Sequence, residues 1–251
     1  LPGNHVDLLR GGAEFFPALI QAIDAAQRRV ALETYIYTDD ATAHSVTEAL
    51  ARAARRGVDV HLTLDGFGTG LLPATIATML KEAGVRLRIY RPLRGFRLQR
   101  RHLRRLHRKI AIIDDDVAFV GGINIIDDLN HAPFNDTALG PRYDFAVRVQ
   151  GPLVAQIALT VDRLWWQMGV RAGMREVGVT GVAAEFPVIT DTPRPRHRGA
   201  SGQESERAPG NVLASLVLRD NVRNRRAIER EYLRALGAAR QEVIIANAYF
   251  L

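Results

Sequence analysis

The chain up to Tyr90 alternates between stretches with a helical spacing of apolar residues and short apolar runs, and this alternation limits the folds that it can adopt. The helical spacing occurs in three stretches, at 13–28, 40–56 and 73–83. The apolar runs, which predict strands, occur at 30–37, 58–64 and 85–90. The order α-β-α-β-α-β predicts the α/β class with a largely buried sheet.

The ends of the predicted helices carry signals of their own. Asp39 or Asp40 is placed to cap the second helix, because a carboxylate there accepts N–H groups that the first turn leaves unpaired. Pro73 suits the start of the third helix and Gly84 suits its end.

The scarcity of two residue types narrows the chemistry. The chain has no cysteine, which excludes thiol nucleophiles, disulfides and cysteine-based zinc sites. Its serines all lie outside a G-x-S-x-G context, which argues against a serine hydrolase. Histidine is the remaining obvious nucleophile.

A glycine-rich run at Gly66–Gly70 lies between a predicted strand and a predicted helix, where dinucleotide-binding loops are found. Its third glycine comes one position too early for G-x-G-x-x-G, and no G-K-[ST] follows. We interpret the run as a strand-to-helix turn.

Arginine is concentrated in one stretch of the chain. The net charge is +7, and ten arginines lie between Arg86 and Lys109, interleaved with apolar residues. Such a surface attracts an acidic bilayer, with about 1 kcal/mol from each arginine close to it. It attracts the phosphates of nucleic acid by the same physics. A solvated charged loop without a partner is the third interpretation.

The segment 107–124, HRKIAIIDDDVAFVGGIN, predicts a hairpin. In a strand, His107 and Lys109 project from the same face, where an imidazole and an ammonium group can both reach one phosphate. The aspartates at 114–116 predict a turn, and a second strand follows at 117–120.

The residues that follow the hairpin are suited to ligand binding. Gly121 and Gly122 allow a ligand to approach the backbone closely. Asn124 can then place its amide beside whatever His107 and Lys109 hold.

The spacing H-x-K-x4-D-x6-G-G-x-N resembles the signature of the phospholipase D superfamily. Segments outside it, among them LETYIYTDD, VDVHLTLDGFGT and YDFAVRVQGPLV, resemble bacterial cardiolipin synthases of the shorter type without N-terminal transmembrane helices. The resemblance implies a phospholipase D-like lobe with a mixed β-sheet flanked by helices, the first of two repeated lobes. The matching positions are His107, Lys109, Asp114, Gly121, Gly122 and Asn124.

The resemblance also implies an activity. A phosphatidyl group would pass from one phosphatidylglycerol to His107 and then to a second phosphatidylglycerol, with release of glycerol. A neutral imidazole, with an ordinary pKa of about 6.5, can attack a phosphodiester to give a phosphohistidine. The implied catalytic set is His107, Lys109, Asp114 and Asp144, and the implied substrate-binding set is Asn124, Gly121 and Gly122.

Each residue has an expected role. Lys109 and Asn124 would stabilise charge on the nonbridging phosphate oxygens. Asp114 would hold the turn rather than touch substrate, and Asp144, in the YDFAV segment, would orient His107. We expect no cofactor and no metal, because the histidines lack ligand spacing and the acidic pairs at 115–116 and 127–128 are typical of turns.

An internal repeat predicts a second lobe. Residues 19–37 align without gaps to 232–250, at the offset that separates Ala22 from Ala235. The same offset puts a partner histidine near position 320, beyond Leu251, so the chain is expected to be incomplete. The predicted domains are a catalytic lobe at 1–189, a linker at 190–210 and the start of a second lobe at 211–251.

Location and partners follow from these patterns. No apolar run reaches the roughly 18 residues that a spanning helix needs, and the chain opens with Leu1 rather than Met, so an N-terminal piece is expected to be missing. We expect a peripheral protein on the cytoplasmic side of the cell membrane, with anionic phospholipid and its own second lobe as partners. A phospholipase D-type phosphodiesterase or nuclease, and a non-catalytic module that binds membranes or nucleic acid, are the alternatives.

Overall fold

A computed structural model describes residues 1–92, 105–131, 140–176, 210–218, 224–243 and 245, with side chains up to Val170 in the helix that ends at Glu176. The chain divides into two compact units, Leu1–Leu213 and Ala214–Leu251. Apart from Gly210, the predicted linker lies outside the described residues.

The described part of the first unit contains seven strands and four helices. The strands are β1 (His5–Arg10), β2 (Arg29–Thr34), β3 (Asp59–Asp65), β4 (Arg86–Tyr90), β5 (Lys109–Ile113), β6 (Val117–Gly121) and β7 (Phe145–Gln150). The helices are α1 (Gly11–Ala25), α2 (Ala41–Arg55), α3 (Ala74–Glu82) and α4 (Leu153–Glu176). The second unit contains α5 (Ala227–Ala238).

The strands form one mixed sheet in the order β1-β7-β6-β5-β2-β3-β4. β2, β3 and β4 are parallel, whereas β5, β6, β7 and β1 pair antiparallel, and the two halves meet at an antiparallel β2–β5 junction. The prediction of a mixed sheet flanked by helices is therefore confirmed.

Helices cover both faces of the sheet. α1, α2 and α3 bury their apolar residues against one face, where Leu19, Leu50 and Ile76 belong to a single core with Leu62 of β3. α4 packs on the other face, where Arg29 donates to Asp162. The burial of apolar side chains on both faces is what stabilises a sheet of this kind.

Helix α1 ends earlier than the periodicity predicts. The backbone N–H groups of Gln27, Arg28 and Arg29 donate to the carboxylate of Asp114, at 2.8, 2.7 and 2.9 Å. Because these donors bond to Asp114, they are not available to continue the helix beyond Ala25. The N-cap prediction is confirmed for Asp40, whose Oδ1 accepts from the N–H of Ala43 at 2.9 Å.

Two strand predictions need correction. β2 ends at Thr34 rather than at Tyr37, because the N–H of Ile36 donates to the side chain of Asn124 instead of to a strand. The segment before β5 is irregular, so His107 lies outside the strand that begins at Lys109. β1 was not predicted, since an edge strand without a buried residue lacks the alternation that marks a half-buried strand.

Candidate active site

Polar residues gather at one edge of the sheet because of the strand directions. β2 and β3 are parallel and both end at this edge, and β5 begins there because it is antiparallel to β2. β6 ends and β7 begins at the same edge. The residues that the fold places here are Tyr35, Asp65, His107, Lys109, Gly121, Gly122, Asn124 and Asp144.

His107 and Lys109 lie side by side, as predicted, although only Lys109 is in a strand. Lys109 Nζ is 3.2 Å from Nε2 and 3.3 Å from Nδ1 of His107. The ring of Tyr35 lies 4.8 Å from the imidazole, measured between centroids, and supports one side of the pair. His107 is exposed while Lys109 is buried, so the imidazole is open to a substrate and the ammonium group lies beneath it.

Burial changes the pKa of both groups. The pKa of Lys109 is lowered to about 8, chiefly by burial, and the charge of Asp144 opposes this change. The pKa of His107 is lowered by burial and by the neighbouring Lys109, and the charge of Asp65 opposes this change. At neutral pH the imidazole is therefore neutral and nucleophilic, while the ammonium group keeps most of its charge.

Within the described residues, the charge of Lys109 has no carboxylate partner at contact distance. Among the described residues, no Asp or Glu oxygen lies within 4.0 Å of its Nζ. A buried ammonium group without such a partner favours an anionic ligand, because a phosphate oxygen can supply the missing counter-charge.

Asp65 is a buried carboxylate that sequence reasoning missed. Its Oδ1 accepts from the N–H groups of Phe67 and Gly68 at 2.8 and 3.0 Å, and its Oδ2 accepts from the N–H of Leu106 at 2.6 Å. Asp65 therefore holds the residue next to His107. The signal was an acidic residue at the carboxyl end of an apolar parallel strand.

Asp144 lies beside Lys109 rather than in contact with the imidazole. Its charge acts on the pKa of Lys109, and its Oδ1 accepts from the N–H of Phe145 at 2.8 Å. Within the described residues it makes no hydrogen bond to His107. The structure thus brings Asp144 into the site without the direct contact that an orienting role requires.

The two glycines are packed against the chain itself. A Cβ on Gly121, which pairs with Lys109 across the sheet, would overlap the carbonyl of Phe145, and one on Gly122 would overlap the carboxylate of Asp144. The absence of side chains therefore lets β7 pair closely with β6 and lets the Asp144 carboxylate lie against Gly122. The predicted role in substrate binding stays a prediction.

Asn124 is tied to the end of β2. Its Oδ1 accepts from the N–H of Ile36 at 3.0 Å, which leaves the side-chain amide N–H groups as the part that can donate to a ligand. Asn124 thus fixes the backbone next to Tyr35 as well as lying at the site edge.

Asp114 is not brought together with the other predicted site residues. It follows the far end of β5, roughly 16 Å from Lys109 at the usual rise of a strand. Asp114 and Asp115 have positive φ of 54° and 60°, and the Asp114 carboxylate binds the three N–H groups that end α1. These contacts tie the turn to the connection between α1 and β2, and the predicted role in the turn stays a prediction.

A buried ion pair lies on the other face of the motif. Glu33 is 1% exposed, and its Oε2 lies 2.9 Å from the Arg108 guanidinium, while its Oε1 accepts a hydrogen bond from the same nitrogen at 3.2 Å. Oε2 itself lacks hydrogen-bond geometry. Burial raises the pKa of Glu33 to about 7 although Arg108 opposes the change. This contact fixes the side chain of Arg108, the residue that separates His107 from Lys109 in the chain.

The described residues include neither a cluster of metal-ligand side chains nor a membrane-spanning helix. No group of three or more His, Cys, Asp or Glu side chains in this part of the chain is arranged to hold a metal ion. No helix in it is long and apolar enough to cross a membrane.

Known proteins resemble this chain over nearly all of its length. The family described as "Cardiolipin synthase, PLD-like domain" matches residues 19–133, which include the whole motif. "Cardiolipin synthase B" of Salmonella typhi is 40% identical over 99% of this chain and 54% of its own length, and the protein of the same name from Escherichia coli K12 is 38% identical over the same shares. The chain spans about half the length of these curated relatives.

Among solved structures, Nuc from Salmonella typhimurium, a phospholipase D family member, gives a TM-score of 0.47 at 21% identity, over 65% of this chain and 95% of Nuc. The likeness to this family rests on the sequence matches, which cover the motif and both sides of it. Residues 19–133 match the phospholipase D-like domain of cardiolipin synthases, and the chain is similar to cardiolipin synthase B over 99% of its length.

Proposed function

We propose that this chain is the first catalytic lobe of a cardiolipin synthase. A phosphatidyl group would pass from one phosphatidylglycerol to a second one, with release of glycerol. The observation that carries the proposal is the exposed imidazole of His107 above the buried Lys109, whose ammonium group lacks a carboxylate partner within the described residues. The similarity to cardiolipin synthases supports phosphatidylglycerol as the substrate.

The first half of the reaction uses His107 as the nucleophile. A ring nitrogen of the neutral imidazole forms a bond to phosphorus, and the bond from phosphorus to the glycerol oxygen breaks. The leaving oxygen takes a proton from a general acid, and glycerol departs. Lys109 stabilises the negative charge that develops on the nonbridging oxygens.

The second half reverses these steps with a different alcohol. A hydroxyl group of the second phosphatidylglycerol attacks phosphorus and gives up its proton to the group that acted as acid, and the bond from phosphorus to His107 breaks. In the proposal the acid is a histidine of the second lobe, near position 320. Asn124 would donate its amide N–H to a nonbridging oxygen, and Gly121 and Gly122 would leave room for the phosphate.

We propose that Asp144 supports the charge of Lys109 as well as orienting His107. Its charge favours the protonated form of Lys109, and it lies against Gly122. We assign to it the support of the Lys109 charge and, when substrate draws the imidazole inward, the orientation of His107.

Helix α5 exposes apolar residues that support the proposal of a second lobe. The first lobe buries five apolar residues of α1 and β2, namely Phe15, Leu19, Ile23, Val30 and Leu32. The residues at the offset of the repeat are exposed, and they are Ile228, Tyr232, Leu236, Val243 and Ile245. A helix with such an apolar face needs a partner layer, which we propose is the sheet of a second lobe built from the residues that follow.

The lobe proposal is tested in a protein that carries those residues. Tyr232→Ala should lower its melting temperature, while the matched change Arg234→Ala, on the polar face of α5, should leave it within a degree or so of wild type. Equal melting temperatures for both variants would show that the apolar face is not a core face.

The activity is tested with the full-length protein on phosphatidylglycerol liposomes at low salt, with lipid products separated by chromatography. Cardiolipin and glycerol should form, and His107→Ala should abolish both. Rapid acid quenching with a labelled phosphatidyl group should place the label on the peptide that contains His107. Cleavage of single-stranded DNA in a parallel assay with the lipid untouched would instead make the protein a nuclease. Silence in both assays with liposome binding retained would make it a binding module.

A peripheral position on the cytoplasmic side of the membrane belongs to the same proposal. The net charge of +7 supports attraction to acidic lipid. The arginine stretch of the prediction lies partly at 93–104, outside the described residues.

A further inference from the structure

The loop that joins β3 to α3 presents apolar side chains to solvent beside His107. We call residues Gly66–Leu72 the apolar loop. Phe67 is 52% exposed and Leu71 is 96% exposed. A Cβ added at Gly70 would meet nothing within 4 Å, so the tip protrudes. The exposure of two large apolar groups at a catalytic edge calls for a partner of matching chemistry.

The first four backbone N–H groups of the apolar loop are hydrogen-bonded to the protein. The N–H groups of Phe67 and Gly68 donate to Asp65, and the N–H of Gly66 donates to the carbonyl of Tyr90 at 2.8 Å. The N–H of Thr69 donates to the carbonyl of Asp65 at 3.1 Å. These four donors, from Gly66 to Thr69, stay paired when this part of the loop enters an apolar medium.

Positive charge lies next to the apolar groups. The guanidinium carbon of Arg105 is 4.2 Å from the centroid of the Phe67 ring, and that of Arg91 is 5.3 Å from the Tyr90 ring. A cation beside an exposed aromatic ring suits the boundary between acyl chains and anionic headgroups. A partner surface that is apolar inside and negative outside therefore fits this part of the molecule.

The same edge carries further exposed apolar side chains on the other side of His107. Tyr143 precedes Asp144, Leu129 follows the loop that contains Asn124, and both are exposed. The site thus opens between apolar groups on loops from two parts of the chain. This arrangement matches a flat apolar surface that delivers substrate to the site.

We propose that the apolar loop inserts Phe67 and Leu71 into a bilayer of anionic phospholipid and sets the distance of His107 from the headgroups. The inference rests on the proposed function, in which the substrate is a membrane lipid. Asp65 transmits the position of the loop, because its Oδ1 binds the loop and its Oδ2 binds Leu106, next to His107. Insertion of the loop thereby places the imidazole at the level of the lipid phosphates.

The test uses the full-length protein and a Phe67→Ser/Leu71→Ser double variant. Partition onto vesicles of phosphatidylglycerol and phosphatidylcholine is measured by flotation. Turnover is measured on the same vesicles and on a short-chain phosphatidylglycerol below its critical micelle concentration. Leu8→Ser is the matched control, because Leu8 is also 52% exposed but lies within β1, away from the site edge.

The double variant should lose about tenfold or more in vesicle partition, since each change removes an apolar side chain from lipid. Turnover on vesicles should fall with it, while turnover of the monomeric lipid and the melting temperature stay at the wild-type values. Leu8→Ser should match wild type in every assay.

Two results would overturn the inference. Unchanged partition of the double variant would show that the loop does not enter lipid. Loss of turnover on both substrates together with a lower melting temperature would show that the loop packs against another part of the protein. If the wild-type protein turned over neither substrate, the proposed function would fail, whereas the partition ratio would still decide the role of the loop.

Discussion

The two ends of β5 belong to one sequence motif but differ in how their polar groups are satisfied. At the start of the strand, Lys109 is buried beside an exposed imidazole and lacks a carboxylate at contact distance within the described residues. At the far end, the Asp114 carboxylate accepts three backbone N–H groups. The motif thus combines a reactive end, where a buried charge lacks a carboxylate partner among the described residues, with a structural end, where a carboxylate accepts three hydrogen bonds.

The largest expected effect is on turnover, which should depend on the start of β5 and not on its far end. His107→Ala should lower turnover of phosphatidylglycerol by about 10⁴-fold or more, because it removes the nucleophile. The melting temperature should not change, since the imidazole is exposed. Asp114→Asn is the control at the other end and should keep most of the activity. Comparable activity losses in the two variants would contradict the assignment of a reactive end and a structural end to β5.

Lys109→Met tests the reactive end without changing its shape much. Loss of the ammonium group should lower kcat by about 10²- to 10³-fold, as for other groups that stabilise transition-state charge. The free energy of unfolding should stay the same or rise, because an apolar chain replaces a buried charge without an ion-pair partner. Chemical denaturation measures the second quantity, and marked destabilisation would mean that Lys109 is a structural residue.

Asp114→Ala should act in the opposite sense. The change leaves three N–H groups without their acceptor and puts alanine at a φ of 54°, so the free energy of unfolding should fall by about 2–3 kcal/mol. The activity of the folded fraction should stay within a few-fold of wild type. Denaturant titration alongside the lipid assay checks both statements, and an inactive but fully stable variant would contradict them.

The smallest expected effect is the shift in the pKa of Lys109, which can be measured directly. The chain has two lysines, Lys81 and Lys109, so dimethylation with ¹³C gives two lysine signals beside that of the terminal amine, and the signal that Lys109→Arg removes is assigned to Lys109. The Lys109 signal should titrate near pH 8, and the group should lose its charge as the pH rises through that value. Asp144→Asn should lower this midpoint further. A midpoint near 10.5 would show that the site is more solvated than described.

The sequence predicts the alternation of helices and strands and the pairing of His107 with Lys109, because both depend on local spacing. It does not predict Asp65, since the hydrogen bond from Leu106 joins residues that only the sheet brings together. The place of Asp144 against Gly122 depends on the missing side chain of that glycine, which the motif contains but does not explain. The early end of α1 has the same origin, because its cause is the distant Asp114.

The pairing of β1 has a consequence for the order in which the fold is completed. His5 pairs with Gln150, and every other residue of β1 pairs within β7. During synthesis β1 therefore leaves the ribosome before the other strands of this sheet and waits for β7, the last of them, while β2, β3 and β4 already have neighbours close in sequence. Contacts between such distant segments form slowly, and an unpaired strand is open to wrong partners in the meantime. The opening residues of this lobe are thus the ones that most need protection before the chain is finished.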